Sequence, residues 1–190
     1  LGDRDCSLQR RNQKLLEETP SPGVNDEQRK KIIELAVDAV KKIGYVGAGT
    51  LEFLLDREGN FWFMEMNVRL QVEHCVTEML TGFDLVKWQI RIAARIPLSF
   101  TQKDVKMKGS AIECRINAED PSKNFMPQVG KVRYLYFPVG NLGMRIDSDL
   151  YAGWEITPFY DSMIAKVISL GQDRHEAIEK VKRLLSEMLI

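Results

Sequence analysis

The sequence has no excess of either charge and no long apolar run. Its 190 residues carry 27 basic and 27 acidic side chains, so the formal net charge is zero. A balanced charge argues against a general nucleic-acid partner and against an acidic membrane surface. No apolar run reaches the roughly 18–20 residues that a helix needs to cross a bilayer. We therefore expect a globular protein with no nucleic-acid partner and no membrane partner.

Cysteine is also scarce, with single residues at Cys6, Cys75 and Cys114. Their number is odd for a disulfide framework, and they lie too far apart for the paired spacing of common zinc sites. This usage indicates reduced thiols in a reducing compartment. We expect a cytoplasmic protein, or a mitochondrial matrix protein if its source is eukaryotic.

Neither of the common glycine-rich phosphate-binding motifs is present. The chain contains no G-x-x-x-x-G-K-[ST] and no G-x-G-x-x-G. The short run G-A-G at residues 47–49 lacks the spacing and the lysine of such a loop, and we interpret it as a tight entry into a strand. If the protein handles ATP, a glycine-rich cover for the phosphates must come from elsewhere.

Hydrophobic periodicity predicts a mixed α+β protein. Helices are predicted over residues 25–43, 77–94 and 173–190, and strands over 49–55, 61–67, 109–118, 130–137, 143–147 and 161–170. Asn25 and Gln28 form a capping-box pair at the start of the first helix, and Gly44 is its stop signal. The polar stretch 99–108 is expected to connect two structural units. Leu1 is not a methionine and Ile190 falls inside a helical pattern, so we expect a piece of a longer protein.

The most informative segment reads E-M-N-V-R-L-Q-V-E from Glu65 to Glu73. Polar and apolar residues alternate, so on an extended chain the polar side chains share one face. That face carries Glu65, Asn67, Arg69, Gln71 and Glu73. Two carboxylates, two carboxamides and a guanidinium suit a site for a metal and an anion. The alternative is a solvated strand face with fortuitous ion pairs.

A hard cation is predicted at the hairpin formed by the strands 49–55 and 61–67. Glu52 and Glu65 are the only carboxylates inside these apolar runs, and antiparallel pairing would bring them together. Buried carboxylates are costly unless paired or bound to a cation. With Asn67 nearby, the oxygen ligands suit magnesium. The alternative is that each glutamate pairs with a lysine or arginine from elsewhere.

An anion site is predicted next to the metal. The planar fork of Arg69 matches a carboxylate, bicarbonate or phosphate. Lys14, Gln71 and Arg115 could converge on the same ligand if the fold brings them together.

Glu73 is the candidate general base, and His74 is the alternative, although a lone histidine beside an apolar stretch is more often structural. Fully extended, the segment 65–73 would cover about 26 Å, too far for one reaction centre. We therefore expect the chain to leave the strand after Asn67 and to fold residues 69–73 back towards the metal.

Five runs of sequence resemble biotin carboxylase, the ATP-grasp component of biotin-dependent carboxylases. They are R-D-C-S-L-Q-R-R-N-Q-K (4–14), G-T-L-E-F-L (49–54), F-M-E-M-N-V-R-L-Q-V-E-H (63–74), E-C-R-I-N-A-E-D-P (113–121) and F-Y-D-S-M-I-A-K (159–166). The resemblance implies the C-terminal half of an ATP-grasp domain over residues 1–95. It also implies most of the biotin carboxylase C-terminal domain over residues 96–190.

The resemblance further implies a set of roles on the ATP side of the site. The cofactors are ATP and Mg²⁺ or Mn²⁺, and biotin on a carrier is the substrate. The implied metal ligands are Glu52, Glu65 and Asn67. The implied nucleotide-binding residues are Gln9, Asn12, Glu52, Leu54 and Glu65. Asn12 replaces the histidine that many family members have.

The remaining implied roles concern bicarbonate and biotin. Bicarbonate would be bound by Lys14, Arg69, Gln71 and the backbone of Val72. Glu73 would deprotonate bicarbonate for attack on the γ-phosphate, which gives carboxyphosphate. Arg115 would stabilise the biotin enolate. The implied catalytic set is therefore Glu73, Arg69, Arg115 and Lys14.

Some features depart from the family pattern. Val68 stands where threonine is usual, and Cys75 where proline is usual. The glycine-rich lid and the N-terminal domain of the family are missing from this sequence, so we expect the isolated chain to have little or no carboxylation activity. The implied partners are a biotin carboxyl carrier protein or domain, a carboxyltransferase and, in the full-length form, a second copy. A carbamoyl-phosphate synthetase type of ligase and a non-enzymatic assembly piece are the alternatives.

Overall fold

The computed structural model describes residues 1–190 and divides them into two compact units. The first unit contains Leu1–Asp5 and Thr19–Lys108, and the second contains Cys6–Glu18 and Gly109–Ile190. The boundary at residues 95 and 96, expected from the family resemblance, stays a prediction. None of the helices combines the length and the apolar character that a membrane span requires.

The chain contains both helices and strands, grouped in short runs of each kind, which confirms the α+β prediction. The order is β1 (Asp5–Arg10), β2 (Gln13–Thr19), α1 (Asp26–Lys42), β3 (Thr50–Leu55), β4 (Phe61–Asn67), α2 (His74–Thr81), α3 (Leu85–Ala93), β5 (Ser110–Asn117), β6 (Glu119–Asp120), β7 (Met126–Pro127), β8 (Gly130–Lys131), β9 (Met144–Asp147), β10 (Glu155–Ile156), β11 (Met163–Gly171) and α4 (Arg174–Glu187).

Helix α1 of the first unit begins as the sequence predicts. The Asn25 side chain accepts a hydrogen bond from the Gln28 backbone N–H (2.9 Å), and the Gln28 side chain accepts one from the Asn25 N–H (3.0 Å). These two bonds satisfy backbone donors that the first turn of a helix otherwise leaves open. Gly44, at a φ of +65°, follows the end of the helix.

The single helix predicted over residues 77–94 is wrong, because the chain forms two helices there. Helix α2 begins earlier, at His74, and ends at Thr81, followed by the C-cap residue Gly82 with a left-handed φ of +74°. Asp84 then starts α3, since its side chain accepts from the Lys87 backbone N–H (2.7 Å). A C-terminal glycine followed closely by an N-terminal cap separates two helices.

The second unit is built on a five-stranded sheet with the order β1-β2-β5-β11-β9. Strand β11 pairs antiparallel with β5 and with β9, and α4 packs on this sheet. The buried core is shared by the sheet and the helix and contains Ile112, Cys114, Val167, Ala177, Val181 and Leu184. Burial, together with the nearby Glu17 and Glu113 carboxylates, raises the pKa of the Cys114 thiol to about 12.

Two predicted elements of the second unit are shorter than expected. The strand predicted over residues 130–137 is wrong beyond Lys131. Val132 bonds to the turn at Gly153 and Trp154, and Tyr136 forms only an isolated bridge to Leu189. The helix predicted to run to Ile190 ends at Glu187 because the following residues pair with Tyr136. A strand needs a partner of matching length, which periodicity within one segment does not reveal.

Two adjacent leucines of α4 test this description of the core. Leu184 is completely buried, whereas Leu185 is 39% exposed. We expect Leu184→Ala to lower the free energy of unfolding by about 2–5 kcal/mol, the usual cost of such a cavity. The matched change Leu185→Ala should cost on the order of 0.5 kcal/mol. Urea unfolding followed by circular dichroism measures both, and equal losses would contradict the placement of α4.

Candidate functional site

The β3–β4 hairpin places two carboxylates opposite each other. Glu52 pairs with Glu65 in the antiparallel register, and Thr50 pairs with Asn67. The Phe53 ring lies edge-on to the Phe63 ring, with 5.8 Å between their centroids. The strand positions predicted from sequence are thus confirmed, and with them the proximity of the two glutamates.

The turn that joins these strands is fixed by one aspartate. The Asp56 side chain accepts from the Trp62 indole N–H (2.9 Å) and from the Asn60 backbone N–H (2.8 Å). These bonds, with the indole bond the largest contribution, lower the pKa of Asp56 to about 2. Gly59 supplies the left-handed conformation of the turn at a φ of +86°. The hairpin register is therefore set locally.

Asn67 lies between the two carboxylates. Its Nδ2 donates to Oε1 of Glu52 (3.0 Å) and to Oε1 of Glu65 (2.8 Å). Like charges opposite each other on a strand pair repel, so the amide dipole stabilises this arrangement. A rotation of about 180° of the Asn67 side-chain amide around its Cβ–Cγ bond would direct Oδ1, in place of Nδ2, towards the two carboxylates. Two carboxylates and an amide oxygen are ligands that Mg²⁺ accepts, and the donor set fits that metal.

The chain leaves the strand after Asn67, as predicted. Strand β4 ends there, and the following residues bend into α2. The bend brings Gln71 back, so that its Nε2 donates a hydrogen bond to Oε1 of Glu52. Gln71 is buried at 6% exposure. Asn67 and Gln71, from the two halves of the segment 65–73, thus both donate hydrogen bonds to Glu52.

Arg4 holds Gln71 from the other side and was missed by the sequence reasoning. Its Nη2 donates to Oε1 of Gln71 (2.6 Å) and to the Thr50 hydroxyl (3.0 Å), and its Nη1 donates to the Thr77 hydroxyl (3.1 Å). The guanidinium thereby fixes which atom of the Gln71 amide faces Glu52. The run R-D-C-S contains Arg4, and an arginine beside an acidic residue was the only available signal.

The remaining predicted residues of the first unit differ in exposure. Glu73 is buried at 2% exposure and precedes α2 without capping it through its side chain. Arg69 is exposed, and its guanidinium donates to the Leu70 carbonyl oxygen (3.1 Å). Val72 is half-buried, and Leu54 on β3 is exposed. The exposed guanidinium leaves donors that could bind an anion.

The hairpin of β1 and β2 carries three predicted residues in the second unit. Gln9 is exposed, and its side-chain amide donates to the Cys6 carbonyl oxygen (2.8 Å). The turn is formed by Arg11 and Asn12, both with positive φ (52° and 63°), as in a two-residue hairpin loop. Lys14 follows on β2 and is half-buried.

Arg115, also in the second unit, is held by a buried carboxylate. Its Nε and Nη2 donate to Oε1 of Glu17, at 2.7 and 2.5 Å. Glu17 is completely buried. A charge-assisted pair of this kind fixes the orientation of the guanidinium. Glu17 was also missed by the sequence reasoning, although an acidic pair inside the L-L-E-E-T strand pattern was visible.

Two family models match this chain. Residues 1–101 match the carbamoyl-phosphate synthase L chain, ATP binding domain, and residues 113–190 match the biotin carboxylase C-terminal domain. Biotin carboxylase 1 of Bacillus subtilis is 58% identical and biotin carboxylase of Haemophilus influenzae 56% identical, each over 100% of this chain. The chain spans 42% of the length of both relatives.

A solved structure gives the same result. The structure is the dimeric biotin carboxylase domain of Hydrogenobacter thermophilus 2-oxoglutarate carboxylase, in complex with MgADP, ADP and bicarbonate. It matches with a TM-score of 0.96 and 51% identity, over 100% of this chain and 42% of that chain. The relatives are thus domains or subunits of biotin-dependent carboxylases, and dimers occur among them. The chain belongs to the biotin carboxylase family of ATP-grasp proteins.

Proposed function

We propose that the protein to which this chain belongs uses ATP and bicarbonate to carboxylate biotin through carboxyphosphate. The observation that carries the proposal is the convergence of Glu52, Glu65 and Asn67, with Gln71 folded back onto Glu52. This oxygen-rich cluster suits the magnesium that accompanies a nucleotide. The Hydrogenobacter relative, solved with MgADP and bicarbonate, supports the same ligands here.

The first unit would supply the metal ligands and part of the nucleotide site. Glu52 and Glu65, with Asn67 beside them, would hold Mg²⁺ or Mn²⁺. When bound, the metal neutralises charge on the ATP phosphates. The nucleotide contacts would be completed by Leu54 and, from the β1–β2 hairpin, by Gln9 and Asn12.

Bicarbonate would be bound by cationic and amide donors and then deprotonated. The proposed donors are Lys14, Arg69, Gln71 and the backbone of Val72. Glu73 would accept the bicarbonate proton while the bicarbonate oxygen attacks the γ-phosphate, so that carboxyphosphate forms and ADP leaves. Glu73 is buried at 2% exposure, so its carboxylate is shielded from bulk water.

Arg115 would act in the second half of the reaction. Carboxyphosphate releases carbon dioxide and phosphate. The phosphate accepts the ureido N–H proton of biotin, which gives the enolate, and the ureido nitrogen then attacks the carbon dioxide. The enolate form of biotin carries negative charge on its oxygen, which a fixed guanidinium stabilises. The ion pair with Glu17 keeps that guanidinium in place.

The partners follow from the same proposal. A biotin carboxyl carrier protein or domain would present biotin, and a carboxyltransferase would use the carboxybiotin. The full-length protein would be a homodimer and would work in the cytoplasm. Residues 1–95 would belong to its ATP-grasp domain and residues 96–190 to its C-terminal domain.

A chimera tests the proposal most simply. In the Bacillus relative, the matching segment is replaced by residues 1–190 of this chain, and ATP cleavage that depends on bicarbonate and biotin is measured. The double change Glu52→Gln and Glu65→Gln should lower kcat on the order of 100-fold, because a bound metal contributes several kcal/mol. Glu58→Gln, in the exposed hairpin turn, is the matched control. Full activity of the double variant would refute the metal assignment.

Arg115 separates this function from that of a carbamoyl-phosphate synthetase type of ligase. In the chimera, Arg115→Ala should abolish biotin-dependent turnover and leave bicarbonate-dependent ATP cleavage in place. The control is Arg133→Ala, since Arg133 is exposed on the same unit. Loss of both activities, or of neither, would contradict the assigned role.

Arg4 is expected to act as a positioning residue for Gln71. Arg4→Met removes the donor to the Gln71 oxygen and should raise the KM for bicarbonate by roughly 10–100-fold, the cost of a hydrogen bond to a charged group. The KM for ATP should change far less. Arg57→Met, in the exposed turn of the hairpin, should change neither constant. A fall in kcat alone, with an unchanged KM for bicarbonate, would argue against this role.

A further inference from the structure

We infer that the first turn of α2 forms a second cation site, for a thiophilic divalent ion such as Zn²⁺, with His74, Cys75 and Glu78 as ligands. One ligand atom from each residue lies within 4.8 Å of the other two. The set contains a nitrogen, a sulfur and an oxygen. It differs in chemistry from the oxygen cluster at Glu52 and Glu65, which suits a hard ion.

Two of the three distances between ligand atoms are close to those of a tetrahedral zinc site, and the third is at most 4.8 Å. The Nε2 atom of His74 is 3.8 Å from the Cys75 sulfur and 3.8 Å from Oε2 of Glu78. Zinc bond lengths of about 2.0–2.3 Å place neighbouring ligand atoms about 3.4–3.6 Å apart. A zinc ion that binds here would draw the three ligand atoms together by side-chain rotation and would take water as its fourth ligand.

Two of the ligands are oriented by groups outside the cluster. The Nδ1 atom of His74 lies 2.8 Å from the Gln71 carbonyl oxygen. Because a carbonyl only accepts, Nδ1 carries the proton and the lone pair of Nε2 faces the cluster. A histidine that binds a metal commonly makes this kind of second bond. In Glu78, Oε1 accepts from the Leu85 backbone N–H (2.7 Å), which leaves Oε2 directed to His74.

Charge balance favours a divalent ion over a monovalent one. Binding replaces the thiol proton of Cys75, which passes to the buffer, so the site then holds a thiolate, a carboxylate and a neutral imidazole. The two negative charges cancel the charge of Zn²⁺, which matters because Cys75 is completely buried. The soft sulfur selects Zn²⁺ over Mg²⁺.

The chain offers matched controls for the experiment, because it has two histidines and three cysteines. The 190-residue chain is titrated with ZnCl₂ by calorimetry and with Co²⁺ by absorption spectroscopy. We expect one Zn²⁺ per chain that excess Mg²⁺ does not displace. The cobalt form should show a thiolate-to-cobalt charge-transfer band. Cys75→Ser should abolish that band, and His74→Gln should weaken Zn²⁺ binding at least about tenfold. Cys6→Ser and His175→Gln should change neither result.

The outcome does not depend on one variant folding. Glu78→Gln keeps an acceptor for the Leu85 N–H but removes the carboxylate, and it should also weaken Zn²⁺ binding. Circular dichroism of each variant checks that the chain is folded. The inference is overturned if the wild-type chain binds no Zn²⁺. It is also overturned if folded His74→Gln and Glu78→Gln bind Zn²⁺ as tightly as the wild type, or if the controls lose binding equally.

Discussion

The repulsion between Glu52 and Glu65 is the constraint on which the first unit depends. The hairpin register brings two carboxylates together, and such a pair is stable only when donors or a cation compensate it. In this structure the donors are the amides of Asn67 and Gln71. Gln71 can reach Glu52 only because the chain bends after Asn67. The bend in turn determines where α2 begins.

Hydrogen bonds from charged partners also fix the orientation of other polar side chains in both units. The Arg4 guanidinium donates to the side-chain oxygen of Gln71. The side-chain nitrogen of Gln71, and not its oxygen, therefore faces Glu52. In the second unit, Glu17 holds Arg115 in a comparable way. Gln71 and Arg115 are thus each oriented by a residue that has no proposed reactive role. Such preorganisation limits the reorganisation that a reaction would otherwise require.

Local signals in the sequence predicted the elements that depend on local interactions. The capping box of α1 and the turn at Gly59 are formed by residues within a few positions of each other, and both are confirmed. The bend after Asn67 was predicted from the length of the segment 65–73, because a fully extended chain of that length would be too long for one site. The pairing of Glu52 with Glu65 followed from the short turn between their strands.

The features that were missed depend on partners distant in sequence or on caps inside an apolar pattern. Arg4 and Gln71 are 67 residues apart, and Glu17 and Arg115 are 98 apart. No local pattern predicts such contacts. The break at Gly82 was hidden because apolar periodicity continues across it. The cluster around Cys75 was missed because the spacing rule compared cysteines only with one another.

The most direct test of the account is to locate a bound divalent cation in the isotope-labelled chain by nuclear magnetic resonance. Mn²⁺ broadens the signals of nuclei close to it, and the side-chain amides report on their own positions. We predict that the amide signals of Asn67 and Gln71 broaden at the lowest Mn²⁺ concentration, before that of the exposed Asn60. If the Asn67 and Gln71 signals stay sharp while other side-chain amides broaden, the hairpin carboxylates do not form the metal site.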